Sequence, residues 1–264
     1  SRLPILLPKL ALELENKLKV VGESISYMQN TNDIWARDYM PVKVGEEYIQ
    51  FIYDPSYLKD KPELKTDPEQ CRPSFLKVKP SGIKIDGGNV VNNKRYVILT
   101  DAVESENQNL SKDDLYTELN AVFPNQEVVI VPHEPWDSIK HSDGMLRLIG
   151  EDKIVLNNCI TDHWSSSFRK NFMRSIVQMD LEPILCAYYP SDEKAQDGTY
   201  YATGNYINYL ETDSHLFLSQ FNTQERDMEA LEFFSAVQSK KVVPVDCEEL
   251  AKGGGLLNCI SWEC

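Results

Sequence analysis

Short runs in which apolar and polar residues alternate, each entered through a polar or glycine-containing signature, return five times along the chain. Alternation with a period of two puts every other side chain on one face, so each run predicts a strand. The Gly, Asn, Asp or Glu turn that follows predicts a hairpin. The first copy runs from Arg37-Asp38-Tyr39-Met40-Pro41-Val42 to Tyr48–Tyr53, and the second from Asp86-Gly87-Gly88-Asn89-Val90-Val91 to Tyr96–Thr100. The third joins His141-Ser142-Asp143-Gly144-Met145-Leu146-Arg147 to Ile154–Leu156, and the fourth joins Gly204-Asn205-Tyr206-Ile207-Asn208-Tyr209 to Leu216–Leu218. The fifth, Gly253–Cys259, is truncated after its first strand. The copies start at 37, 86, 141, 204 and 253, a spacing of 49 to 63 residues.

Between the hairpins the pattern changes to a helical period and then to an apolar run. Ser111–Phe123 has Ser111 as N-cap, Asp113 and Asp114 in its first turn, and Leu115, Leu119 and Val122 on one face; Val128–Val131 follows. Ser166–Met179 precedes Ile184–Ala187. A helix capped by Asn222 or Thr223, with Met228, Leu231, Phe234 and Val237 as its apolar positions, precedes Val242–Val245. Leu10–Leu18 likewise precedes Ser24–Tyr27. Units of this size cannot bury a face alone and should pack about a common axis. The expectation is therefore an α/β chain forming one domain over residues 1–264: a closed ring of five ββαβ-like modules with the signatures at a central channel. Asp54–Pro80, where Pro and charge interleave, shows no clear helix and is expected to be a long loop, either a lid or a plain surface insertion.

Composition narrows the setting. With 264 residues and 42% apolar content the chain can bury a substantial core, and no apolar run approaches the ~18 residues of a membrane span. The formal charge of −14 argues against nucleic acid and anionic membrane; it is compatible with steering a small cation, although an acidic surface is more often only a solubility device. Six scattered cysteines without C-x-x-C, and four histidines, make a zinc module improbable and point to a reducing, cytoplasmic compartment. No signal peptide is visible, although the start at Ser1 leaves a removed leader open. Oligomeric state, including a homo-oligomer, is not legible.

The signatures pool chemistry. Three glycines deliver Cys259, a candidate nucleophile whose bland alternative is a buried structural thiol. His141 and Asp143, two apart, would share a strand face; Asp86 precedes a Gly-Gly bend; Trp35 and Asp38 precede Pro41. Singly these read as a hydrogen bond, a turn and core. Together, a thiol, an imidazole and surplus carboxylates suit a planar cation. A guanidinium pairs bidentately with carboxylates, and its carbon becomes open to a thiolate once acids localise its charge in a dry site.

The motifs Trp35-Ala36-Arg37-Asp38, Asp86-Gly87-Gly88-Asn89, His141-Ser142-Asp143-Gly144, Tyr206-Ile207-Asn208-Tyr209 and Gly253-Gly254-Gly255…Cys259 resemble those of agmatine deiminases and bacterial-type peptidylarginine deiminases. These are guanidine-modifying enzymes of the pentein (α/β-propeller) fold. The resemblance covers nearly the whole chain. It implies hydrolysis of a guanidino to a ureido group plus ammonia, without metal or organic cofactor, with agmatine as first-choice substrate. It casts Cys259 as nucleophile, His141 as acid and then base, Asp86 and Asp143 as guanidinium ligands, Asp38 as a further acidic contact, Trp35 as a pocket wall and Asn208 as an active-site asparagine. The agmatine branch often has Glu before the double glycine and His before the nucleophile, where this chain has Asp86 and Asn258. Arginine and peptidyl arginine therefore stay open as substrates. An amidinotransferase is an alternative reaction, and a non-catalytic member of the fold is the alternative from another class.

Overall fold

The computed structural model describes residues 3–23 and 25–263, and the architecture is mixed α/β. Four three-stranded sheets carry the strands, in the orders 42–44/47–52/78–84, 91–92/96–100/127–131, 146–149/153–159/182–188 and 210–211/215–220/241–246. In the first, second and fourth, an antiparallel hairpin hands its second strand to a parallel third strand. A parallel partner needs a crossover, and helices Lys112–Val122 and Gln224–Val237 supply it for the second and fourth sheets. This is the hairpin–helix–strand unit expected from the pattern.

The chain divides into two compact units. One comprises residues 1–27, 156–163 and 185–261, and the other 28–155, 164–184 and 262–264. Strands Lys153–Cys159 and Glu182–Tyr188 each begin in the second unit and end in the first.

The second unit packs Ile49, Phe51, Ile83, Ile85, Val97, Leu99, Leu115, Leu119 and Phe123 into one core. Val97 and Leu99 alternate along their strand, while Leu115 and Leu119 stand one helical turn apart, so the two periods meet. Phe51 stacks on Phe123 at 6.0 Å, and burial of such a ring is worth roughly 1.5–3 kcal/mol. Ser111 caps its helix through the Asp114 N–H at 3.1 Å, as expected, a contribution of about 1 kcal/mol. In the first unit, Phe217, Leu218 and Phe234 are completely buried, and Tyr209 packs edge-on to Phe234 at 5.3 Å.

Several expectations are corrected. Residues 25–27 form no strand, and Ser24 lies outside the described residues, as does Cys264. Asp54–Pro80 is not structureless: it holds 3-10 turns Ser56–Leu58 and Pro62–Leu64, a short helix Pro68–Cys71, and the start of strand Val78–Lys84. Met228 is 53% exposed; the buried positions of its helix are Phe234, as expected, together with Asp227 and Ala230. Asp227 is inward because it accepts bonds from Tyr206 Oη at 2.7 Å and from the Phe221 N–H at 3.1 Å. The fifth signature forms turns rather than a strand after helix Glu248–Ala251.

Candidate functional site

In the second unit the first three signatures place a cluster of acids around one imidazole. His141 is buried, with Nε2 3.1 Å from Asp86 Oδ2 and Nδ1 3.5 Å from Asp38 Oδ1. Asp143 is buried and acts electrostatically on the same ring. It does so from the 3-10 turn Ser142–Gly144, so the shared strand face expected for His141 and Asp143 is replaced by a tight turn. Asp38 comes from the four-residue helix Ala36–Tyr39 that follows Trp35, and Asp86 from the residue before a second 3-10 turn, Gly87–Asn89.

Glycine is required at the bend. A Cβ on Gly88 would lie 2.5 Å from His141 Nδ1 and 2.7 Å from Asp38 Oδ1, so any side chain there would displace the imidazole and the acid. Asn89, not singled out in the sequence, ties two signatures together: its Oδ1 accepts from Thr100 N at 2.9 Å and Ser142 N at 3.2 Å. Lys140, just before His141, is held at φ 64, a conformation that few non-glycine residues adopt. Asp137 Oδ2 accepts its N–H at 2.8 Å, and the Thr100 hydroxyl donates to its carbonyl at 2.6 Å. The backbone strain is thus pinned on both sides directly upstream of the imidazole.

The electrostatics are those of an anionic pocket. Burial alone would drive His141 neutral, yet Asp38, then Asp86 and Asp143, outweigh it and raise the imidazole to about 10. Burial pushes the Asp38 carboxyl well above the usual carboxylate range; His141 opposes this, and Asp86 and Asp143 add to it. Asp33, whose carboxylate accepts the Trp35 N–H at 3.0 Å, is raised to about 6 by burial. Asp38 Oδ1 is buried and accepts no hydrogen bond, an orphan that a cationic donor would satisfy. A cleft with a cavity volume of about 30 Å³ opens on this cluster, lined by Tyr57, Lys84, Asp86, Glu106, Lys140 and His141 among others. The Tyr57 hydroxyl donates to Asp86 Oδ2 at 2.9 Å. Nothing in the sequence marks Tyr57, which sits in the proline-rich segment without periodicity.

In the first unit Cys259 is half-buried, and its thiol reaches Asn208 Oδ1 at 3.4 Å. The Asn258 N–H donates to the Asn208 carbonyl, also at 3.4 Å, so the fourth and fifth signatures meet at Asn208. Gly254, at φ 85, closes helix Glu248–Ala251 through its N–H to the Ala251 carbonyl at 3.0 Å. A Cβ on it would come within 2.5 Å of Thr199 Cγ2. Other cysteines differ in character. Burial pushes the thiols of Cys186 and Cys247 up to about 12, which keeps them protonated and unreactive at neutral pH. Among the described residues no group of three His, Cys, Asp or Glu side chains could hold a metal ion, and no helix is long and apolar enough to cross a membrane.

The model of the Porphyromonas-type peptidyl-arginine deiminase family matches residues 8–264. The chain is similar in structure to an agmatine deiminase of C. jejuni (16% identity, TM-score 0.72, covering 87% of this chain and 72% of that one). It is also similar to the agmatine deiminase of Enterococcus faecalis (18% identity, TM-score 0.68, 86% and 73% covered). An amidinotransferase from Microseira wollei shares the fold at 13% identity and a TM-score of 0.57, with 97% and 82% covered. No curated protein matches.

Proposed function

Because the chain belongs to the Porphyromonas-type peptidyl-arginine deiminase family, a family of hydrolases acting on C–N bonds of linear amidines, we propose that it hydrolyses the guanidino group of a small cationic substrate to a ureido group and ammonia. Agmatine, giving N-carbamoylputrescine, is the substrate we put first. The observation that carries this reading is the group of three carboxyl groups around the single imidazole of His141: Asp38 and Asp143, both buried, and Asp86, part-buried at the cleft. Three carboxyl groups around one imidazole suit a planar guanidinium, and Asp38 Oδ1 accepts no hydrogen bond.

In this reading the Cys259 thiolate bonds to the guanidinium carbon. Imidazolium His141, cationic at neutral pH because its acids hold it near about 10, gives its proton to the departing nitrogen as ammonia leaves. The neutral imidazole then takes a proton from water, whose oxygen attacks the thiouronium carbon. The C–S bond breaks, the hydroxyl proton passes to the released ammonia or to water as the ureido product leaves, and the thiolate returns. Asp86 and Asp143 hold guanidinium nitrogens, Asp38 supplies a further acidic contact, Trp35 walls the pocket, and Asn208 receives the thiol. The proposal extends to architecture: residues 1–264 act as one catalytic domain, a pentein-type ring of five ββαβ modules, supported by the repeated hairpin-plus-parallel-strand topology of the sheets. No step calls on a metal or organic cofactor.

The test is a panel of agmatine, free arginine and arginyl peptides, with ammonia and ureido product measured together. Equimolar release from one of them is expected. Product that forms only with an added amine, without ammonia, would indicate amidino transfer instead, and no turnover of any guanidino compound would overturn the reading.

A further inference from the structure

Asp86 is held asymmetrically. Its Oδ2 receives the Tyr57 hydroxyl at 2.9 Å and faces His141 Nε2 at 3.1 Å, while its Oδ1 accepts no hydrogen bond from the described residues. Asp86 lines the cleft, so one oxygen is saturated toward the protein and the other stays available to a ligand. The Tyr57 ring stands edge-on to the His141 ring at 6.2 Å, which places the phenol against both members of the pair.

A carboxylate turns easily about its terminal torsion, whose preference is broad and roughly two-fold. A single bond to His141 would leave the choice of oxygen weakly defined. The segment around Tyr57 is fastened as though this choice mattered. Asp54 lies 2.6 Å from both Lys65 and Lys84. The Ser56 N–H donates to Glu106 Oε2 at 3.2 Å, and the Ser56 hydroxyl binds the other oxygen of the same carboxylate. Further along, Asn32 donates from its backbone to Thr66 Oγ1 at 2.9 Å and from its side chain to the Lys65 carbonyl at 2.7 Å. A strap from 54 to 66, rich in proline and charge, is thereby fixed at both ends. Between those ends the strap presents Tyr57 to Asp86. Burial, and then the charges of Asp86 and Asp38, push the phenol well above its ordinary value, which keeps it a donor.

We propose that Tyr57 is a positioning residue that selects which Asp86 oxygen faces His141 and which faces the bound cation. The consequence for turnover rests on the deiminase reading; the positioning itself does not.

Tyr57→Phe tests this by removing one oxygen and keeping the ring. Crystal structures of the two proteins should show the Asp86 carboxylate turned in the variant, with the 3.1 Å contact to His141 Nε2 lost. The His141 titration midpoint, followed by ring NMR, should fall. Burial still lowers it and Asp38 and Asp143 still raise it, with Asp137 also nearby, but the Asp86 bond that raises it is weakened. With the substrate the panel identifies, kcat should drop by about tenfold to a hundredfold, the range for a hydrogen bond to a charged group, with a smaller change in KM and Tm shifted by no more than about 2 °C. Ser56→Ala, which loosens the strap and removes no acid, should move the same readouts less. An unmoved Asp86 and an unchanged His141 midpoint in both variants would overturn the proposal, whatever the activity. A wild-type protein that turns over no guanidino compound, with Asp86 displaced in the variant, would sink the deiminase reading and leave the positioning role standing.

Discussion

Charge holds the candidate groups of one unit and backbone shape holds those of the other. Around His141, two buried acids, the part-buried Asp86 and a strained Lys140 make a site that resists its own desolvation, and the imidazole stays cationic only because the acids outweigh burial. Around Cys259, the means are a left-handed Gly254, a helix end and the Asn208 amide at 3.4 Å. The acidic cluster is expensive and chemically specific, since removing one charge leaves others uncompensated. The thiol segment is less demanding energetically and specific in geometry. Each kind of construction should therefore fail in its own way.

The largest contrast is expected at the thiol. Cys259→Ala should abolish guanidino turnover, by about 10⁴-fold or more, while Tm stays near wild type, because a half-buried small side chain loses little packing. Comparable loss with a collapsed Tm would mean that the segment is structural. Next come the acids: Asp86→Asn and Asp38→Asn should each lower kcat/KM by about 10²- to 10³-fold, from roughly 3–5 kcal/mol for breaking a buried charge pair. The loss should persist at moderate salt, since a dry pair is poorly screened. Near-native values in both would reduce these aspartates to turn residues.

A smaller effect separates shape from charge. Gly88→Ala forces a methyl into the space beside His141 Nδ1 and should destabilise the protein by about 1–3 kcal/mol, with a parallel loss of activity. Gly254→Ala should cost about 1–2 kcal/mol through its left-handed φ and the Thr199 methyl, and disturb activity more than thermal stability if the turn aims the thiol. The pH effect is read on stability rather than on turnover. Folding raises His141 from 6.5 to about 10, so its contribution to stability is complete below the unfolded value of 6.5 and is lost as pH rises through about 10. Melting curves between these limits should fall more steeply for the wild type than for His141→Gln.

Much of this was legible from pattern. Asp86-Gly87-Gly88-Asn89 followed by strand Tyr96–Thr100 reads directly because period-two alternation and a double glycine are local signals. So does the Ser111 cap. His141 and Asp143 are legible as neighbours but not in their geometry, because a Ser-Asp-Gly turn overrides strand spacing. Tyr57 is not legible, and Asn89 is legible as a motif member but not in its role: each acts through a partner 29 or 53 residues away, and no local period encodes that distance. Met228 faces outward because Asp227, a charged residue, takes the inward position by accepting the Thr223 N–H at the start of its own helix.

The most direct test of the covalent account is rapid acid quenching of the wild-type enzyme during turnover of its guanidino substrate, followed by peptide mass mapping. The account predicts a transient adduct on the Cys259 peptide, the mass of substrate less ammonia, that appears before product and disappears as substrate is exhausted. An unmodified Cys259 throughout turnover, together with an adduct on another cysteine or full activity in Cys259→Ala, would contradict it.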